Sequence, residues 1–184
     1  MKVIGFTGSP RSESNTEILV EEMLKGSSDT GAQTKIFNLT DMNIVPCKAC
    51  MHCKVNEGVC ATDDDMQEIY KELKEADAFI VGSPLYFGEM SAQTKPFIDR
   101  LFAFYIPDSE VNSKKNMAFV FSQGNPDEDT FSEYYNYMKT IFEMAYNVVD
   151  VLVSCGNQLP GDVKNKTDVL ENARNIGKKI VESN

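Results

Sequence analysis

No apolar run in this 184-residue sequence approaches the roughly 20 residues that a membrane-spanning helix requires, so no membrane partner is expected. The opening "MKVIGF" runs straight into a strand pattern, and no signal peptide is expected. Positive charge is scarce: 18 Lys and Arg stand against 28 Asp and Glu, a net charge of −10. Such a chain repels phosphate backbones, so no nucleic-acid partner is expected. The only histidine is His52, and no Ser-His-Asp or Cys-His catalytic pair is visible. His52 reads as a solvated loop residue. Neither G-x-G-x-x-G nor G-x-x-x-x-G-K-S/T occurs, which argues against ATP or GTP. Internal repeats, low-complexity stretches and linkers are also lacking.

What is present is an alternation. Strand patterns at 2–8, 32–39, 77–87, 115–124 and 147–156 alternate with helical patterns at 15–27, 64–76, 92–105, about 127–145 and 166–183. The first helix spaces Ile18, Leu19, Met23 and Leu24 on one face. Asp63, Asp64 and Asp65 read as the acidic start of the second helix, where its dipole favours them, rather than as a cation site. Pro96 falls in or near the first turn of the third. The segment 106–114 is polar and reads as a surface excursion. Five strands alternating with five helices predict an α/β fold, a doubly wound parallel sheet covered on both faces. The length suits one domain over 1–184, and 42% hydrophobic residues can build its core.

In such sheets ligands bind at the carboxyl ends of strands. The first strand ends in "TGSPRSESNT" (7–16). Ser9, Ser12, Ser14 and Thr16 offer hydroxyls there, Asn15 an amide and Arg11 a guanidinium. Before a helix N-terminus this set suits a terminal monophosphate held without magnesium. The plainer alternative is a helix cap with spare serines. "SPLYFGEM" (83–90) and "SQGNP" (122–126) leave two further strands, and could supply the apolar wall and backbone donors that a flat ring needs.

The densest feature is "PCKACMHCKVNEGVC" (46–60), which holds four of the five cysteines. An odd total argues against a disulfide framework, and the expected compartment is a reducing cytoplasm. Cys47, Cys50, Cys53 and Cys60 read C-x₂-C-x₂-C-x₆-C. The x₂ spacings are those of the bacterial ferredoxin run. Gly58 permits the bend that brings the fourth cysteine back. Structural zinc also uses four cysteines, but usually in two separated knuckles; a metal-free or thiol-redox loop is the other alternative. Lys48, His52 and Lys54 lie among these thiols and could offset an anionic centre. Cys155, on the fifth strand, reads as a buried apolar residue.

"GSPRSESNT", "GSPLYF" with "AQTKPFIDR" downstream, and the cysteine stretch ending "CATDDDM" together resemble the flavodoxin-like NAD(P)H-dependent FMN reductase superfamily, and within it the iron–sulfur flavoproteins. The resemblance is specific to about residue 125 and vaguer beyond. It implies strand order 2-1-3-4-5 and bound FMN. By motif position, Ser9, Arg11, Ser14, Asn15 and Thr16 would take the phosphate. Pro84, Leu85, Tyr86 and Phe87 would line the isoalloxazine, and Ser122, Gln123 and Gly124 its pyrimidine edge. It further implies a [4Fe-4S] cluster on the four cysteines of the loop at about 46–62. Homo-oligomers, dimeric or tetrameric, are implied as well, with the flavin near a subunit interface, and Phe87, Phe104 and Tyr105 are the aromatics expected on that rim.

The resulting expectation is an electron-transfer flavoprotein. It would pass electrons between the cluster and FMN to a small two-electron acceptor, with a ferredoxin-like carrier as donor. A cluster-free reductase fed by NAD(P)H is the alternative, and a non-catalytic flavin- or metal-binding module the second.

Overall fold

The computed structural model describes residues 1–105 and 115–183. The segment 106–114, expected as a surface excursion, lies outside the described residues. The strands of the main sheet are β1 (Lys2–Thr7), β2 (Gln33–Asn38), β3 (Ala78–Tyr86), β5 (Asn116–Ser122) and β6 (Asn147–Ser154). They pair in parallel in the order β2-β1-β3-β5-β6. Counting only these five, this is the expected 2-1-3-4-5 order. The remaining strand, β4 (Glu89–Met90), was not expected; it folds back antiparallel on the end of β3.

The pleat sorts side chains by size. Val3, Ala78, Ile80, Ala118 and Val120 face α1 (Asn15–Asp29) and α6 (Thr167–Glu182). Ile4, Phe6, Phe79, Val81, Phe119 and Phe121 face the opposite layer. That layer consists of α3 (Met66–Glu75), α4 (Thr94–Arg100) and α5 (Ser132–Phe142). Gly5 and Gly82 let α1 lie close on the first face, where a Cβ would stand 2.6 and 2.5 Å from Val20, and aromatics fill the second. The two helices of the first face also touch backbone to backbone. A Cβ on Gly26 would stand 2.0 Å from the Arg174 carbonyl oxygen, and one on Gly177 1.9 Å from that of Met23.

Three expected elements differ. The helix of 92–105 stops at Arg100 and tightens to a 3₁₀ turn over Leu101–Ala103. Carbonyls that would have continued it are taken elsewhere: the Tyr70 hydroxyl donates to Arg100 O (2.9 Å) and the Lys54 ammonium to Phe102 O (2.5 Å). Pro96 is the third residue of α4, in the first turn, where its missing N–H has no partner to lose. The helix of 127–145 is shorter, a 3₁₀ turn at Glu128–Phe131 followed by α5. Asp127 holds that turn apart, its carboxylate accepting from Asp129 N at 3.1 Å and its carbonyl from the Gln123 amide at 2.7 Å. A single helical turn, α2 (His52–Val55), interrupts the cysteine loop. Among the described residues, no helix is long and apolar enough to cross a membrane.

Candidate functional site

The switch in strand order leaves a crevice between the carboxyl ends of β1 and β3. Ser9, Arg11, Ser14, Asn15 and Thr16 meet there with Pro84, Leu85, Tyr86, Ser122 and Gly124 around a cavity of about 180 Å³. Ser12 is not among the lining residues. Ser14 caps α1, its Oγ accepting from Glu17 N at 3.0 Å. The amides of Asn15 and Thr16 therefore open the helix, where N–H groups lack intrahelical acceptors and the dipole favours an anion. Arg11 reaches across the mouth to Gln158 O at 3.0 Å.

A second cavity, of about 390 Å³, adjoins the first at Leu85 and Gly124. Phe87, Gly88 and Phe131 supply its apolar wall, with Gln123 and Asn125 on the polar side. Phe87 and Gly88 form the two-residue turn between β3 and β4, with φ of 55° and 88°. Positive φ at both central positions marks a type I′ hairpin turn. A bulky residue there is rare. Phe87 is nevertheless fully exposed, so no burial of its ring compensates. The hairpin is held from behind by the Tyr134 hydroxyl, which accepts from Met90 N at 3.1 Å. A buried hydroxyl cluster ties it to the first loop: Ser91 Oγ donates to Gly8 O (2.5 Å), and Thr94 Oγ1 lies 2.8 Å from Ser91 Oγ and 3.0 Å from Ser83 Oγ, its one proton serving either.

Two candidate residues have other tasks. The Asn15 amide donates to Leu159 O (2.8 Å) and accepts from Val163 N (2.9 Å), strapping the segment after β6 onto α1. Gln123 donates through its side chain to Asn125 O and Asp127 O and accepts from the Tyr135 hydroxyl. Its backbone N–H goes to Ser154 O and its carbonyl receives Asn157 N. Every polar group of Gln123 is thus engaged inside the chain. Asn157 and Gln158 line the smaller cavity and were not anticipated. "CGNQ" after the fifth strand carries the same amide-and-glycine signal as "SQGN" after the fourth.

The cysteine loop leaves β2 on the other side of β1. Cys47 and Cys50 are exposed, Cys53 and Cys60 half-buried against the aromatic core, and all four are free thiols. Among the described residues, no three His, Cys, Asp or Glu side chains lie close enough to share a metal ion. The loop backbone is contorted: Ala49, Met51 and Glu57 have φ of 51°, 58° and 49°. Each such residue is strained by roughly 1–2 kcal/mol. Lys54 lies within electrostatic reach of the Cys53 thiol, yet its hydrogen bonds go elsewhere. Its ammonium donates to the carbonyls of Phe102 and Tyr105 and lies 3.6 Å from the centre of the Phe102 ring. Burial lowers its pKa.

Asp64 is not a solvated helix-start charge. Its side chain is fully buried in a bidentate pair with Arg100, at 2.7 and 3.0 Å. Burial pushes the Cys60 thiol up, yet the Thr62 N–H, the Arg100 charge and the Tyr70 hydroxyl together bring it below its ordinary value. Cys155 lies just past β6 rather than within it and is half-buried, with burial raising its pKa. Of the rim aromatics, Phe104 is buried in the core, whereas Tyr105 is partly exposed.

Residues 1–146 match the NADPH-dependent FMN reductase family. The chain belongs to that family. It is 39% identical over 188 residues to an iron–sulfur flavoprotein of Methanocaldococcus jannaschii, covering 99% of this chain and 96% of that one. An iron–sulfur flavoprotein of Archaeoglobus fulgidus is 29% identical over 185 residues, covering 100% of this chain and 80% of its own. Among solved structures, an NAD(P)H:quinone oxidoreductase from Methanothermobacter marburgensis superposes with a TM-score of 0.75 at 18% identity, over 98% of this chain and 96% of that one. This likeness carries the flavodoxin-like fold.

As an FMN-dependent oxidoreductase of this family, the chain has a cradle that suits its cofactor. A small polar cavity with helix amides, hydroxyls and an arginine adjoins a larger, flatter one with an aromatic wall. The thiol loop carries the donor atoms of a soft four-thiolate centre, four free cysteines on one contorted loop, but among the described residues no three of them stand together.

Proposed function

We propose that this chain is an electron-transfer flavoprotein with FMN in the joined cavities and a [4Fe-4S] cluster on Cys47, Cys50, Cys53 and Cys60. When bound, FMN supplies two-electron chemistry and the cluster one-electron transfer. Arg11, the hydroxyls of Ser9, Ser14 and Thr16, and the first-turn amides of α1 hold the phosphate. Pro84, Leu85, Tyr86 and Phe87 bear on the ring, and Ser122 and Gly124 on its polar edge. Gln123 and Asn15 hold the loops that form the pocket. No side chain is assigned as acid or base, because a solvent-open ring exchanges protons with water. The donor is a ferredoxin-like carrier and the acceptor a small molecule such as a quinone. The observation that carries this reading is that ten residues named from motif position line one cavity, in a chain matched end to end by an iron–sulfur flavoprotein.

A homo-oligomer, dimer or tetramer, in the cytoplasm completes the proposal. The exposed apolar side chains of Met51, Phe87, Phe102, Ile141 and Met144 support the assembly. The second reading is a cluster-free reductase taking hydride from NAD(P)H. The open arrangement of the four thiols favours it. Family membership favours either enzyme over a binding module. The test is the visible spectrum of anaerobically purified protein with iron and sulfide analysis. Extra broad absorption near roughly 400 nm with matched iron and sulfide supports the cluster. Flavin bands alone, with direct NAD(P)H oxidation, support the second reading. Hydrodynamic mass at one chain would remove the oligomer.

A further inference from the structure

Both polar groups of Gly8, the residue before Ser9, are held by the segment that carries the ring wall. Gly8 N donates to Gly82 O at 3.0 Å, and Gly8 O accepts from Ser91 Oγ at 2.5 Å. Gly82 lies on β3 and Ser91 directly follows β4, so the grip comes from both arms of the hairpin. Three hydroxyls meet at this point. Ser83, Ser91 and Thr94 are 1%, 0% and 0% exposed. Each of their protons has an acceptor: Ser91 donates to Gly8 O, Ser83 to Pro84 O at 2.9 Å, and Thr94 to Ser91 or Ser83. Backbone N–H groups complete the cluster, Ser91 N reaching Ser83 Oγ at 2.9 Å and Thr94 N reaching Ser91 Oγ at 3.2 Å. Thr94 also takes the space of a side chain at position 8, since a Cβ on Gly8 would stand 1.9 Å from Thr94 Oγ1.

None of the three hydroxyl residues lines either flavin-side cavity, so whatever they do there passes through backbone. The two carbonyls they hold belong to different loops. Gly8 O precedes Ser9 on the phosphate side, and Pro84 O lies in the wall next to Leu85 and Tyr86. Buried hydroxyls are costly unless paired, and a fully paired cluster fixes one arrangement. An apolar filling would hold the two loops together without fixing their spacing. A ligand that touches both loops gains from spacing set before it arrives.

We propose that Ser91, supported by Thr94, is a positioning residue for FMN. Through Gly8 and Ser83 it sets the spacing between the loop that takes the phosphate and the hairpin that takes the ring. The inference rests on the FMN reading above. Its consequence is selective. FMN needs both loops in register, whereas riboflavin, the same ring without the phosphate, needs only the hairpin.

The test titrates flavin-stripped wild type, Ser91→Ala, Thr94→Val and Thr94→Ser with FMN and with riboflavin by quenching of flavin fluorescence. It reads the ratio of the two affinities, together with the melting temperature of each protein. Wild type should prefer FMN. Ser91→Ala and Thr94→Val should lower that preference by about 5- to 150-fold, the range typical of coupling between two sites. Thr94→Ser retains the hydroxyl and should keep most of the preference. A purely structural role would lower the melting temperature and leave the ratio alone. A wild-type ratio in either Ser91→Ala or Thr94→Val would overturn the proposal and leave the FMN reading standing. So would a Thr94→Ser ratio as low as that of Thr94→Val, because packing of the methyl group would then explain the effect. If Ser91→Ala does not fold, the two Thr94 variants decide alone. A wild type that binds riboflavin as tightly as FMN would sink the placement of the phosphate, and this proposal with it.

Discussion

Arg11 is exposed, and its guanidinium donates to the carbonyl of Gln158 across the mouth of the smaller cavity. Exchanging that carbonyl for a phosphate replaces a neutral acceptor by a charged one. Arg11→Ala should therefore weaken FMN binding by about 1.5–3 kcal/mol, the range for hydrogen bonds to charged groups, with little change in melting temperature. Isothermal titration of apoprotein with FMN checks it, and unchanged affinity would remove Arg11 from the site. Gln123 should behave oppositely. Its side chain joins Asn125, Asp127 and Tyr135, so Gln123→Ala leaves buried groups unpaired and should cost about 1–3 kcal/mol of stability in a denaturant titration. The contrast shows what a sequence can disclose at this scale. Both residues read as polar groups on the right loop. Which atoms face the cavity depends on partners 2 to 147 residues away, and no spacing reveals them.

The hairpin of β3 and β4 is the element whose backbone and surroundings disagree most. Phe87 holds a left-handed conformation while its ring is fully exposed. Asparagine adopts that conformation with less strain, so Phe87→Asn should raise stability by up to about 1 kcal/mol. If Phe87 walls the ring, the same variant should bind FMN more weakly. A higher melting temperature with unchanged FMN affinity would leave the strain without a ligand to explain it. The hairpin was hidden in the sequence because "YFGE" lacks the Asn-Gly pair that announces a type I′ turn. The shortening of the two long helices was hidden for a related reason, since carbonyls at their ends are taken by side chains: Tyr70 and Lys54 from distant segments, Gln123 from the preceding strand's end. The parallel sheet and the rim position of the loops were legible from the alternation, whereas the strand order came only from the family resemblance. The cysteine loop shares no lining residue with the two flavin-side cavities. Cys50→Ser should accordingly give a yellow protein that retains FMN and lacks iron; loss of both would make the loop structural for the whole chain.

On the scale of the whole molecule, the Asp64–Arg100 pair joins three things: the cysteine loop, α3's entry and α4's last residue. It also sits under the aromatic layer, with Tyr70 packing on Phe104 at a centroid distance of 5.3 Å. An uncompensated charge at such a place has no route to water. Asp64→Asn should therefore cost about 3–5 kcal/mol at neutral pH, the range for a broken buried pair. The acid behaviour follows from the direction of the Asp64 shift. Burial raises its carboxyl, but the Arg100 bond, the Val45 N–H and the Arg100 charge outweigh burial and hold it below its ordinary value. A group whose pKa falls on folding contributes fully above its unfolded value, near 4, and the contribution is lost as pH drops through the lower, folded value. The wild type should thus lose stability steeply below about pH 4, and Asp64→Asn should lack that share of the slope. The two curves of unfolding free energy against pH should be far apart at neutrality and converge in acid. Parallel curves down to the lowest pH at which both remain folded would mean that the Asp64 charge does not hold the base of the cysteine loop, whatever its geometry.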